Sequence, residues 1–434
     1  MTDRSWSRRE LLKSAGAGAL ALAAGAVIHE RMSTYIVGTD SDAGVTAASS
    51  VSDTDPLRID LRAHTPWQLV RGTFSSARVE SLTSRDDVAF VQPDRWLETA
   101  SDPSDDGGDD GDEDDDGEED DDGGEDDDGG EDDGRTVPWG TARIGAKTVI
   151  EDGRRADGVD IGIIDSGIDA THPDLEDAVA PPTDEDAHKA WVKCRGGDCE
   201  HPWSDDGGHG THVAGTAAGA SRSDGTLSVA PGATLHALKV CGGLGRCRTS
   251  AVAKAVRYAA DQGWDVVNLS LGSPQESPAL QAAGEYALEA GVMLVAAAGN
   301  RGRADSVGYP AAYDEYLGVS ATTIDDGIAG FSSRGPGVDI AAPGADICAP
   351  VPGGYDTLDG TSMAAPHVAG AAAHAIGDGA SAAETRVALL ETAEDLGLEE
   401  TEQGAGLVDV AALLGEEHDG GTGDGVSCPA GLPD

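Results

Sequence analysis

Residues 102–133 read DPSDDGGDDGDEDDDGEEDDDGGEDDDGGEDD: 22 carboxylates, no lysine or arginine, and no apolar side chain apart from one proline. Like charges at that density repel one another, and nothing in the stretch can be buried in exchange for ordering it. No fold can run through such a segment. It is expected to be a solvated, extended linker, and it divides the chain into a shorter unit before it and a longer one after it.

The 434 residues suit one catalytic-size domain plus smaller pieces. The boundaries expected are 1–32 for an export signal, 33–100 for a small α+β unit, 101–134 for the acidic linker, 135–415 for the main domain and 416–434 for a short tail.

Acidity is not confined to the linker. The chain carries 80 Asp plus Glu against 29 Lys plus Arg, a net charge of −51, and removing the linker's 22 acids still leaves −29. Only 6 of the 29 bases are lysine. A surface of that sign repels phosphates, which excludes nucleic acid as a partner. It suits concentrated salt, where charges are screened over roughly 3 Å at 1 M.

At the amino end, SRRELLK at residues 7–13 places Arg8 and Arg9 ahead of a run of small apolar residues at 15–28. That run is too short and too weakly apolar for a comfortable membrane span. It resembles a twin-arginine export signal, which implies the twin-arginine translocation machinery as a partner and a secreted, extracellular product. A retained anchor is the alternative. Six cysteines in an exported chain are expected to be bridged. CRGGDC (Cys194, Cys199) and CGGLGRC (Cys241, Cys247) read as two short-loop pairs, leaving Cys348 and Cys428, although six cysteines allow 15 pairings.

From about residue 135 strand and helix patterns alternate. VDIGIID, TLHALKV, WDVVNLSL and VMLVAAA read as strands, and TSAVAKAVRYAADQG and SPALQAAGEYALEAG read as helices. Such alternation predicts a parallel sheet covered by helices on both faces, with sites at the carboxyl ends of its strands. Three glycine-flanked blocks fall at those ends or at helix starts. IGIIDSGIDATHPDL delivers Asp165, DDGGHGTHVAGT opens with His209, and GTSMAAPHVAG carries Ser362. In the last, Thr361 or Ser362 reads as the helix cap, and Pro366 sits one turn in, where stability alone would not place it. An aspartate, a histidine and a serine are the parts that make a hydroxyl nucleophilic near neutral pH.

These blocks, in this order, resemble the subtilisin-like serine proteases, and among them the exported halophilic halolysins, over roughly residues 136–414. The resemblance implies a three-layer α/β/α fold with a mostly parallel sheet, preceded by a small α+β propeptide domain. It implies a secreted endopeptidase acting on polypeptides as a monomer, with no cofactor for the chemistry. Ser362 would be the nucleophile, His209 the general base and Asp165 the group that orients it. Asn300, ending VMLVAAAGN, would donate to the oxyanion alongside the amino end of the Ser362 helix.

Carried over in the same way, Ser270, Leu271 and Gly272 with Ala297, Ala298 and Gly299 would flank the pocket for the side chain before the cleaved bond. Gly243 would lie on the strand edge that pairs with substrate, and Arg301 would bias the pocket mouth toward acidic residues. Residues 33–98, with VAFVQPD at 88–94 near their end, resemble the family's propeptide, an inhibitor and folding helper in cis. Calcium stays open. Asp174 matches a ligand, but Arg222 stands where an amide oxygen is usual and cannot coordinate calcium, so Asp224 would have to substitute. At a weaker second site Asp339 is present and Gly337 replaces an acid. His212 and His367 are expected to be packed core histidines.

Overall fold

The computed structural model describes residues 32–99, 135–196, 199–219, 225–418, 420, 421, 425 and 427–429. The export signal, the acidic run, Arg222 and Asp224 lie outside them.

Strands β1 (Ser33–Thr39), β2 (Leu57–Asp60), β3 (Gln68–Phe74) and β4 (Phe90–Pro93) pair antiparallel in the order β2-β3-β1-β4, with helices α1 (Asp42–Val51) and α2 (Ser76–Thr83) between them in sequence. Period-two alternation sorts the side chains of this sheet. Val37 and Val70 face the two helices in one small core with Val45, Ala48 and Leu82, while Ile36 and Leu69 face the opposite way, into the main body. β5 (Trp96–Thr99) then leaves this sheet altogether.

The main body begins with α3 (Trp139–Arg143) and α4 (Ala146–Glu151), followed by β6 (Asp160–Asp165), β7 (Lys189–Ala190), α5 (His209–Ala217), β8 (Thr234–Lys239) and β9 (Arg246–Arg248). It continues with α6 (Thr249–Gln262), β10 (Val266–Leu269), β11 (Leu271–Gly272), α7 (Pro278–Glu289), β12 (Met293–Ala297), β13 (Leu317–Thr322) and β14 (Ile340–Pro343). The hairpin β15 (Ile347–Val351) and β16 (Gly354–Leu358) leads into α8 (Thr361–Gly377) and α9 (Ala382–Thr392).

Seven strands form one sheet, ordered β14-β13-β12-β10-β6-β8-β7, and every pairing in it is parallel. Its strands are apolar throughout because both faces are covered. Val295 and Ala297 of β12 pack with α5 and α8, whereas Leu294 and Ala296 pack with α6 and α7. The three-layer α/β/α fold is as expected. β6 is the pivot, since the chain winds from it to β8 and β7 on one side and to β10 and its successors on the other. That reversal opens a crevice at the carboxyl edge, beside Asp165.

The disulfides are Cys194–Cys199 and Cys241–Cys247, the two short-loop pairs read from spacing, and Cys348–Cys428. Among the described residues no helix is long and apolar enough to cross a membrane.

Candidate active site

Three neighbouring strands bring the first groups together. Register aligns Ile163 of β6 with Asn268 of β10, and Leu269 of β10 with Ala296 of β12. Asp165, Ser270 and Ala297 therefore emerge side by side, and Asn300 follows three residues after β12. Adjacent strands lie about 4.8 Å apart, so groups far apart in sequence share one edge.

Asp165 and His209 meet directly. His209 Nδ1 lies 2.8 Å from Asp165 Oδ1, which also accepts the Ser166 N–H at 2.6 Å. Burial by itself would push the imidazole down. The adjacent Asp165 carboxylate, with Asp205 farther off, overrides burial and holds His209 above the ordinary histidine value. Its Nε2 is buried with no partner among the described residues. An imidazole held at one nitrogen by a carboxylate and open at the other is fit to take and return a proton.

Ser362 is the second residue of α8 and is fully buried. Its hydroxyl donates to the Ser270 carbonyl at 3.1 Å, so the hydrogen bond to His209 is not made in this arrangement. Pro366 has a local explanation. In an unbroken helix the N–H of residue 366 would bond the carbonyl of residue 362, and proline has no N–H to give. The Ser270 hydroxyl donates to that carbonyl instead, at 2.8 Å, and its own geometry is fixed by Asn268 Nδ2 at 2.9 Å. Pro366 thereby ties the helix start to the end of β10.

The expected side-chain cap from Thr361 or Ser362 is absent. The Thr361 N–H donates to Asn300 Oδ1 at 3.0 Å and the Thr361 hydroxyl does so at 2.8 Å, while Thr361 Oγ1 accepts the Gly299 N–H at 3.0 Å. Gly299 has φ 104°, a left-handed conformation that favours glycine, which turns the chain so that Asn300 faces the helix. Ala297 and Ala298, which precede it in the chain, are buried.

The remaining cleft residues divide. Leu271 and Gly272 pair antiparallel with Thr99 and Glu98 of β5, whose other side pairs with β9, so β5 is the middle strand of a three-stranded sheet. Gly243 is not on the pairing edge. It sits in the turn closed by Cys241–Cys247, against Asp206, where a Cβ would come within 2.3 Å of the Asp206 carbonyl oxygen. The edge is Arg246–Arg248, which the sequence did not single out. Arg301 donates its N–H to Ser333 Oγ at 3.2 Å.

His212 and His367 are buried, as expected, and bonded to the carbonyls of Ile347 and Met363. Burial lowers them to about 3 and about 4 respectively, so both are neutral. Asp174 is buried, with Oδ2 accepting from the N–H and hydroxyl of Thr226 and Oδ1 without a partner among the described residues. Asp339 is committed to the Gly318 N–H at 2.8 Å and to Arg386 at 3.2 Å. Among the described residues no cluster of three or more candidate ligands assembles.

Residues 156–407 match the subtilase family. Subtilisin BL of Lederbergia lenta is 43% identical over 244 residues, covering 55% of this chain and 84% of the relative. Subtilisin DY of Bacillus licheniformis is 40% identical over 288 residues, covering 64% and 98%. Subtilisin E of Bacillus subtilis (strain 168) is 39% identical over 248 residues, covering 55% and 61%. The chain belongs to the subtilase family, and it is a serine endopeptidase.

Proposed function

We propose that this chain is a secreted, halolysin-like endopeptidase, made as a self-processing zymogen and adapted to high salt. It hydrolyses peptide bonds through an acyl-enzyme. The Ser362 hydroxyl leaves the Ser270 carbonyl, gives its proton to His209 Nε2 and attacks the scissile carbonyl. Asp165 stabilises the imidazolium, and the amino end of α8 with Asn300 stabilises the oxyanion. The observation that carries this reading is the buried Asp165–His209 bond, whose Nε2 has no partner among the described residues, at the sheet edge where Ser270 is bonded to Ser362 at the start of α8.

The zymogen reading draws support from β5, which lies between β9 and β11 as an extended substrate would. Further support comes from two helix starts. Asp94 accepts the N–H and hydroxyl of Ser250 at the start of α6, and Gln92 Oε1 accepts the Ala279 N–H at the start of α7. On this reading residues 33–100 are a propeptide acting in cis, 1–32 a twin-arginine signal, 101–134 a spacer and 416–434 a tail. The enzyme is a monomer, the acid excess reflects a saline milieu, and no cofactor enters the chemistry. The Asp174 oxygen that has no partner among the described residues is where a structural calcium would be held, and calorimetric titration reads that binding directly.

Expression of Ser362→Ala tests the zymogen. The variant is expected to accumulate with residues 33–100 still attached, whereas normal trimming of it would refute self-processing.

A further inference from the structure

Lys239 ends β8 and is wholly buried, and the Asp206 side chain is nearly so. A lone buried charge is costly, so each requires the other. Lys239 Nζ lies 2.6 Å from Asp206 Oδ1 and donates a second bond to the Ser166 carbonyl oxygen. Asp206 Oδ2 accepts the Arg195 N–H at 2.7 Å, which anchors the carboxylate from its far side to the Cys194–Cys199 loop.

The two partners of Lys239 are neighbours of the two acid–base residues. Ser166 follows Asp165, whose carboxylate binds the Ser166 N–H. Asp206 stands three residues before His209, in the loop that starts α5. Lys239 is itself in register with Asp165 across the β6–β8 pair. A parallel tie runs from the Gly210 N–H to Ser166 Oγ at 2.9 Å. One ammonium thus pins the segment carrying the carboxylate to the segment carrying the imidazole.

We propose that Lys239 and Asp206 are positioning residues for the Asp165–His209 couple, holding its geometry and cancelling a charge that would otherwise bias the imidazole. The inference rests on the assignment of His209 as general base. Besides Lys239 and Asp206, whose opposite charges offset each other at His209, the charges that act on it are Asp165 on β6 and Asp205 in the loop before α5, and the buried imidazoles His212 on α5 and His367 on α8 are neutral.

The test uses the full chain, followed for its rate of self-trimming and, once trimmed, for kcat and KM on a fluorogenic peptide between about pH 5 and 10. Lys239→Met leaves a buried anion and moves the acidic limb of kcat/KM up by about half a unit. Asp206→Asn leaves a buried cation and moves it down by about as much. Both lower kcat about tenfold or more with little change in KM, because the couple is misplaced and substrate binding is not. The double variant returns the acidic limb to its wild-type position without restoring kcat. A purely structural pair would lower only the melting temperature. Single variants that fold, trim normally and keep both kcat and the acidic limb overturn the proposal. If Lys239→Met does not fold, Asp206→Asn, equal in size, decides alone. Failure of the protease assignment itself would show as wild-type protein that cleaves no peptide.

Discussion

Asn300 caps the helix that carries Ser362, because its Oδ1 accepts the Thr361 N–H at 3.0 Å. A backbone N–H can only donate, so the carbonyl end of the amide is fixed on the helix and its NH2 end is turned the other way. One side chain therefore has a structural end and an end suited to an oxyanion. Asn300→Asp keeps the acceptor and removes the donor. Its kcat is expected to fall by about 10²–10³, the loss known for one such donor in a subtilisin, while its melting temperature changes little. Equal kcat in the two proteins would remove Asn300 from the site.

The Ser270 hydroxyl answers the carbonyl that Pro366 leaves without a helical donor. Ser270→Ala is expected to destabilise the fold by about 1–3 kcal/mol through an unmet buried acceptor. Adding Pro366→Ala supplies the missing N–H and is expected to recover part of that loss. Denaturant unfolding of the single and double variants checks the pairing, and strictly additive changes would contradict it.

Asp94 is fully buried as a side chain, paired with Arg71 at 2.8 Å and bonded to Ser250 on α6. Asp94→Ala leaves two donors at that helix start without a partner. On the zymogen reading, the severed amino-terminal segment is then expected to dissociate from the body about tenfold to a hundredfold more readily. Co-elution of the two pieces after trimming reads this, and unchanged retention would argue against the cap.

Two sets of histidines respond to pH in opposite senses. His209 lies above the ordinary value, so its charged form is favoured in the fold. That contribution is present below the ordinary value and is lost as pH rises through the raised one. Activity follows the reverse course, rising as His209 loses its proton. His188 and His367, lowered to about 4, and His212, lowered to about 3, are neutral in the fold and protonate when unfolded. Their contribution is complete above 6.5 and declines as pH falls toward about 4. Melting temperature is expected to drop across that window, and His212→Gln is expected to flatten the drop. A melting temperature that stays level there would contradict the burial of neutral imidazoles.

Strands such as DIGIID and MLVAA were legible because a strand covered on both faces must be apolar along its length. The residues that end them were legible because each reactive side chain is set among glycines. β5 was not. WLET has no strand signal of its own, and its partners lie about 150 to 175 residues downstream. Its other edge, Arg246–Arg248, is polar and becomes a strand only by pairing with β5. Nothing local to Lys239 shows that Asp206 arrives from a loop to pair with it. The cap on α8 was misplaced for the same reason, Asn300 being 61 residues from Thr361.

The central claim is that Ser362 is a nucleophile activated by His209. The most direct measurement is covalent labelling of the trimmed enzyme with a fluorophosphonate, read by mass spectrometry of its peptides. A single adduct on Ser362 is expected, with labelling slowed at least about a thousandfold in His209→Ala. Labelling at another residue, or at an undiminished rate in His209→Ala, would contradict it.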